Sequence, residues 1–224
     1  SVLGHVLLHQ TINGNEAILQ MEQAGDYPDI IVGCTGGGSN LAGLMFPFLG
    51  QQLRGGQKID IIGCEPLSCP SFTKGKYAYD HGDMARMTPL IKMHTLGSDF
   101  LPPANHSGGL RYHGMSYHLS HLYDLGLMRA KAYGQKDCFE AGVIFGKQEG
   151  IIPAPEGNHA VKGAMDAALE CKEKGESKTI LFNLCGHGHF DMTAYDDYFS
   201  GRLADDFYDE ETANKSLSAL PEIA

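Results

Sequence analysis

Asp29-Ile30-Ile31-Val32-Gly33-Cys34-Thr35-Gly36-Gly37-Gly38-Ser39-Asn40-Leu41-Ala42-Gly43 is the stretch on which the reading of this chain turns. Ile30, Ile31 and Val32 make a short β-branched run of the kind a buried strand shows, and a glycine-rich turn ends it. An apolar stretch with helical spacing then runs from Ser39 to Leu49. Strand, loop and helix in that order set the unpaired amides and the positive dipole end of a helix start against the loop, and that combination favours an anion. Gly36, Gly37 and Gly38 let backbone amides close around phosphate oxygens. Ser39 offers a hydroxyl, to the anion or as helix N-cap, and Asn40 an amide able to reach a ligand oxygen. The alternative is a tight turn with positive φ, although three consecutive glycines are more than a turn requires. The loop is not a Walker motif, since no Lys follows the glycines, and it lacks the GxGxxG spacing of a dinucleotide fingerprint.

Outward from this stretch, Ile12, Ala17, Ile18, Met21 and Ala24 recur at helical spacing, predicting a helix from Thr11 that stops at Gly25. Ile59 to Cys64 repeats the buried-strand pattern and closes on Glu65-Pro66, so Asp29 to Cys64 has the length and order of a βαβ unit. Pro66 to about Gly114 is rich in Gly, Pro, His and Tyr without sustained periodicity, which predicts loops with short helices. Beyond it the pattern predicts helices at Met115–Leu125, Lys136–Gln148, Asn158–Lys174 and Phe190–Leu203, with strands at Leu127–Tyr133 and Lys178–Cys185. The fold class is therefore α/β, an open, mostly parallel sheet with helices on both faces. The expected organisation is one α/β domain over residues 1–204 and an acidic tail over 205–224 that is solvated and frayed.

Composition narrows the partners. With 224 residues, 42% of them hydrophobic, the chain can bury a sizeable core. A net charge of −10 with no basic run argues against nucleic acid and against an anionic membrane surface. No run of about 18 apolar residues predicts a membrane span, and the first residues show neither a charged region nor a cleavage site. Six cysteines without a framework spacing point to reduced thiols and a cytoplasmic setting.

Three further clusters carry candidate chemistry. Asn183-Leu184-Cys185-Gly186-His187-Gly188-His189-Phe190-Asp191 lies at the carboxyl end of an expected strand, where open α/β sheets bind ligands. It reads as a glycine-rich loop closing over a cofactor ring with Cys185 aimed inward. It also reads as the HxHxD set of a metal-dependent hydrolase, His187, His189 and Asp191, but with Met192 where that class expects another histidine. Without that ligand the shell is incomplete, and no metal is expected there. Pro155-Glu156-Gly157-Asn158 places a carboxylate before a helix, for a ligand or for capping. Gly108-Gly109-Leu110-Arg111-Tyr112-His113-Gly114 offers a cation, a phenol and an imidazole on a glycine-flanked loop, or only a surface loop.

Taken in order, "SVLGHVLLHQT", "GCTGGGSNLAG", "CEPLSCPSFTKGKYAYDHGD", "IKMHTLGSDF", "GGLRYHGMS", "EGIIPAPEGNHA" and "FNLCGHGHFD" resemble the C-terminal half of the tryptophan synthase β chains of the divergent second-type branch, from Ser1 to about Leu203. The glycine loop alone is shared among fold-type II pyridoxal phosphate enzymes, whereas "TKGKYAYDHGD" and "GLRYHG" point to this branch.

The resemblance implies pyridoxal 5'-phosphate as cofactor, with Gly36, Gly37, Gly38, Ser39 and Asn40 as its phosphate loop and Glu156, Cys185 and Gly186 near its ring. Cys185 stands where the family usually has a serine beside the pyridine nitrogen, and Gly157 where a small hydroxyl residue is common. Arg111, with His113 nearby, matches a substrate-facing loop that carries an aspartate in the well-known type. The implied reaction joins L-serine to indole to give L-tryptophan by β-replacement, with amino acid and indole as partners and a homodimer in the intact enzyme. The Schiff-base lysine and the acid/base glutamate of the family lie in its N-terminal half, and no lysine here stands in the matching motif. The chain is therefore expected to lack catalytic residues of its own, to be inactive alone and to need an N-terminal half. A serine or threonine deaminase of the same fold type, the metal-dependent hydrolase and a non-enzymatic binding module are the alternatives.

Overall fold

A computed structural model describes residues 4–205 and 207–222. The opening "SVL" of the first matching motif, Asp206 of the tail and the last two residues lie outside the described residues.

Four strands form the main sheet in the order β5-β2-β1-β6, all parallel: β1 (Ile30–Cys34), β2 (Asp60–Pro66), β5 (Arg129–Tyr133) and β6 (Ile180–Phe182). β1 is buried along its whole length. Its alternate side chains face opposite layers, as the two-residue period of a strand requires. On one side Ile31 and Ile61 pack with Leu41, Met45 and Phe48 of α2 (Ser39–Leu53) under α1 (His5–Ala24). On the other, Ile30, Val32, Ile62 and Cys64 pack with Ala167 and Cys171 of α5 (Pro155–Lys174) and Cys138 of α4 (Gln135–Glu149). The expected sheet with helices on both faces is the observed one.

Close approach of helices rests on glycines. A Cβ on Gly14 of α1 would lie 2.3 Å from the Leu44 carbonyl oxygen, and one on Gly163 of α5 would lie 2.3 Å from Cys64 Sγ. The first helix is longer than expected, reaching back to His5 and ending as read at Gly25 in left-handed backbone, φ 69°.

The structure corrects three expectations. Residues 66–114 are not loops with short helices: β3 (Lys76–His81) and β4 (Leu90–Thr95) pair antiparallel, and the only helical turn described there is a 3-10 turn at Gly108–Leu110. Their sequences, Lys76-Tyr77-Ala78-Tyr79-Asp80-His81 and Leu90-Ile91-Lys92-Met93-His94-Thr95, mix polar with apolar residues and exposed with buried ones, so no apolar run announces them. The last expected helix is divided into a 3-10 turn, Gly188–Phe190, and α6 (Met192–Phe199). The tail is not simply frayed, since α7 (Glu210–Ser218) packs Ala213 against Cys69, Leu96 and Phe100. α3 (Tyr117–Asp124) completes the helices.

Candidate functional site

The glycine loop leaves the carboxyl end of β1 and enters α2 directly. Thr35 N–H is spent on the Cys64 carbonyl at 2.7 Å, and the first α2 amide bonded to a carbonyl is that of Ala42, to Gly38 at 2.9 Å. Of the amides between, those of Gly38, Ser39, Asn40 and Leu41 belong to the set every helix start leaves without an intrahelical acceptor. Gly38, the N-cap, has φ 91° and no side-chain cap. A Cβ there would lie 2.2 Å from Leu119 Cδ1 and 2.7 Å from Met115 Sδ; one on Gly36 would lie 2.7 Å from Leu110 Cα. The loop is thus clamped from outside by α3 and by the 108–112 segment, and Ser116 N–H donates to the Gly37 carbonyl at 3.0 Å.

Three buried hydroxyls lie on the segments that meet here: Thr35 Oγ1, Ser107 Oγ and Ser116 Oγ have no hydrogen-bond partner among the described residues. Orphaned buried hydroxyls are costly, and together with the free amides of α2 they form a donor set suited to a phosphate. The residues present fit the phosphate of the implied cofactor.

The segment leaving β6 forms the other wall. Asn183 Nδ2 donates to Asn40 Oδ1 at 2.8 Å, and Cys185 Sγ lies 3.3 Å from Cys34 Sγ. The hydrogen bond to Cys185, with burial adding to it, holds the Cys34 thiol well above its ordinary value. The same contact lowers Cys185 against the opposing effect of its burial. Gly186 turns the chain at φ 72°. An open cleft of about 390 Å³ lies between Asn40, Leu44 and Asn183–Cys185 on one side and Asn13, Glu16 and Gln20 of α1 on the other.

Glu156 sits in the first turn of α5, half-buried, and accepts from Gly109 N–H at 2.8 Å. It holds the 108–112 segment against the glycine loop rather than capping its own helix. Asn158 is likewise not a cap, because α5 starts at Pro155 and the Asn158 amide donates to Tyr195 Oη at 3.1 Å.

Arg111 is exposed, donating from Nη2 to the Pro102 carbonyl at 2.5 Å, and lines a separate cleft of about 450 Å³ with Asp83, Leu101 and Tyr112. His113 is buried, its Nε2 2.9 Å from the His81 carbonyl oxygen and 3.9 Å from Asp80 Oδ2. Of this segment it is Tyr112 that faces the glycine loop: a Cβ on Gly37 would lie 3.5 Å from its ring. His187 and His189 lie against each other with ring centroids 4.8 Å apart and planes tilted by 50°, and no three His, Cys, Asp or Glu side chains among the described residues are placed to hold a metal ion.

The structure therefore brings together Gly36 to Asn40, Cys185, Gly186 and Glu156, while Arg111 and His113 stand to one side. Sequence reasoning missed the parts played by Cys34, Asn183 and Tyr112. Cys34 carried a usable signal, since it ends a buried strand at the sheet edge where ligands bind.

Comparison with known proteins agrees with this geometry. Residues 8–186 match the family model described as pyridoxal-phosphate dependent enzyme. The chain is 57% identical over 203 residues to the tryptophan synthase beta chain 2 of Methanosarcina mazei, covering 91% of this chain and 46% of that one. It is 58% identical over 208 residues to the protein of the same name from Aquifex aeolicus, covering 92% and 48%. To the tryptophan synthase beta chain of Pyrococcus horikoshii it is 50% identical over 221 residues, covering 99% and 48%. The chain thus spans about half the length of these curated relatives. A crystal structure of a fungal L-serine ammonia-lyase from Rhizomucor miehei shares the fold, with TM-score 0.60 and 14% identity over 85% of this chain and 56% of that one. The α/β fold, the glycine loop and these matches agree: the chain belongs to the pyridoxal-phosphate dependent enzyme family.

Proposed function

We propose that this chain is the phosphate- and ring-holding part of a lyase that joins L-serine, or a related β-substituted amino acid, to indole to give L-tryptophan. The observation that carries the reading is the convergence of the glycine loop, at the start of α2, with Cys185 on the segment bound to Asn40 through Asn183. Pyridoxal phosphate, when bound, supplies an electron sink for charge developing at the amino-acid α-carbon.

The chain's own residues bind and orient. The amides of Gly37 to Asn40 and the α2 dipole hold the phosphate, with Thr35 and Ser116 offering their unpartnered hydroxyls. Cys185 puts a sulfur where the family usually has a hydroxyl at the ring nitrogen. Sulfur is a weak hydrogen-bonding group, so Cys185 would leave the nitrogen of a bound ring unprotonated, a setting that suits β-elimination and replacement. Glu156 fixes the 108–112 segment beside the ring through Gly109. The separate cleft that Arg111 lines is the proposed substrate side, and His113 holds that segment on the β3–β4 pair through His81.

Proton transfer at the α-carbon falls to a lysine on a segment that matches nothing in this sequence. Lys131, Lys162 and Lys178 are held by Glu170, Asp166 and Glu176. Leu8, Ile12 and Leu19 of α1 share one helix face and are exposed, an apolar face suited to cover by further protein. A homodimer of the assembled enzyme and a reducing, cytoplasmic setting complete the reading; all six cysteines are free. Among the described residues no helix is long and apolar enough to cross a membrane.

The test is to assay the purified chain for tryptophan from serine and indole, alone and mixed with a separately expressed lysine-bearing half from a relative. No product alone and product on mixing is the expected result. Serine turnover by the chain alone, with a borohydride-fixed cofactor adduct on one of its own lysines, overturns it. Pyruvate and ammonia in place of tryptophan on mixing point to a deaminase instead.

A further inference from the structure

Two thiols meet at the site from distant parts of the sequence. Cys34 is the last residue of β1 and is 2% exposed, while Cys185 lies three residues beyond β6 and is partly open to solvent. The in-register pairing of β1 with β6 runs from Ile30–Ile180 to Val32–Phe182, and Asn183 N–H extends it by donating to the Val32 carbonyl at 3.1 Å. The ladder thus carries the two backbones side by side to within two residues of each cysteine. With the sulfurs 3.3 Å apart and a disulfide bond near 2.05 Å long, closure needs a movement of about 1 Å.

The two sulfurs are not equivalent. Cys185 is the accessible one, and the hydrogen bond with Cys34 draws its thiol below the ordinary value, which raises its thiolate share and its reactivity. Cys34 is buried behind it as a resolving thiol. Cys64, the in-register neighbour of Cys34 on β2, is fully buried, and burial pushes its thiol up to about 12. It is the internal control.

We propose that Cys34 and Cys185 form a reversible disulfide when the chain meets a peroxide, and that this cross-link disables the ring side of the cofactor seat. In the first step Cys185 sulfur attacks one peroxide oxygen, the O–O bond breaks, and the departing hydroxide takes a proton to become water, leaving a sulfenic acid. In the second, Cys34 sulfur attacks that sulfur, the S–OH bond breaks, and the hydroxide leaves as water with the Cys34 proton. Two thiols lose two electrons and two protons, and one peroxide gains them. The product has neither a thiol nor a thiolate at residue 185. The effect on the cofactor rests on the reading of Cys185 as the ring-nitrogen residue; the formation of the disulfide does not.

The experiment treats the intact reduced chain with equimolar hydrogen peroxide, alkylates the remaining thiols and maps peptides by mass. A linked pair containing Cys34 and Cys185, reversed by dithiothreitol and absent from Cys34→Ala and Cys185→Ser, is the expected result. Circular dichroism of both variants checks that the loss is not one of folding. Equilibrium dialysis against pyridoxal phosphate should show about tenfold weaker binding by the oxidised chain, the size of one lost hydrogen bond. A Cys34–Cys64 link, or over-oxidised Cys185 with no linked peptide, overturns the disulfide. A disulfide that leaves cofactor binding unchanged overturns the gating. In that case reduced Cys185→Ala, which removes the hydrogen-bonding group, separates the causes: unaltered binding places the fault in the reading of Cys185, and weakened binding leaves that reading standing.

Discussion

Asn183 Nδ2 donates to Asn40 Oδ1 at 2.8 Å, joining the segment that leaves β6 to the first turn of α2. This side-chain amide pair, with the Asn183 N–H bond to the Val32 carbonyl, ties the segment that carries Cys185 to the glycine loop and α2. Asn183→Leu removes the bond and should cost about 1 kcal/mol in urea unfolding. Asn183→Asp should differ in kind, because it places a carboxylate beside the anion seat. Its stability loss should be similar, but the rise in melting temperature given by added inorganic phosphate should shrink further than in Asn183→Leu. Equal phosphate responses in the two variants would show that residue 183 does not face the anion.

The glycines of the loop should separate into structural and binding roles. Gly38→Ala requires a side chain at φ 91°, 2.2 Å from Leu119 Cδ1, and should cost about 3 kcal/mol or more, or prevent folding. Gly37→Ala meets only an ordinary contact, 3.5 Å from the Tyr112 ring, so its melting temperature should stay near that of the unaltered chain. If the Gly37 amide lines the anion seat, phosphate protection should still fall in Gly37→Ala, because the new methyl crowds the ligand. Unfolding measured with and without phosphate distinguishes the two.

How far the sequence revealed this follows from where burial is continuous. β1 and β2 are buried on both faces, and their apolar runs, Ile30 to Val32 and Ile59 to Ile62, announce strands. β3 and β4 mix exposed residues such as Lys76, Tyr79, Leu90 and Lys92 with buried ones, so their pairing is set by partners distant in sequence, among them buried Asp80, which accepts from Thr95 Oγ1 at 2.7 Å. The turn from β1 through Gly36, Gly37 and Gly38 into α2 is legible because three glycines between an apolar run and a helical stretch mark a tight loop at a helix start. The Cys34–Cys185 contact is not, because 151 positions separate the two residues and only the sheet order brings them together.

The tail shows the same limit. An acidic, small-residue segment reads as solvent-exposed, yet α7 is anchored by Asp209, which accepts from Thr212 N–H at 3.0 Å, and by Ala213, which is fully buried against Leu96 and Phe100. Asp209→Ala should cost about 1 kcal/mol, the usual worth of an N-cap. Ala213→Glu puts an unpaired charge at a closed contact and should cost about 3 kcal/mol or release the helix. Faster amide exchange confined to residues 207–222 would mark release, and a chemical denaturation midpoint unchanged in both variants would show that the helix adds nothing to the fold.

Glu65 gives the pH dependence. It stands next to the last residue of β2, fully buried, and accepts from Phe72 N–H at 2.8 Å, Thr73 N–H at 2.9 Å and the Thr73 hydroxyl at 2.6 Å, pinning the chain as it leaves the sheet. Burial pushes its carboxyl up to about 7, with the bonds from Thr73 and Phe72 opposing the rise. In the unfolded chain the same group titrates near 4.3, so between those two values the folded state binds more proton than the unfolded one. Its contribution to stability is then full below about pH 4.3, declines as pH rises through 7 and is constant above. Other groups titrate across this range, including His94, whose burial lowers its value. Comparison with Glu65→Gln removes them, because they are common to both proteins. Unfolding free energies of the two chains between pH 4 and 9 should show the unaltered chain losing up to about 4 kcal/mol relative to the variant across the window. A constant difference across that range would mean that Glu65 is ionised throughout and that its three donors outweigh its burial.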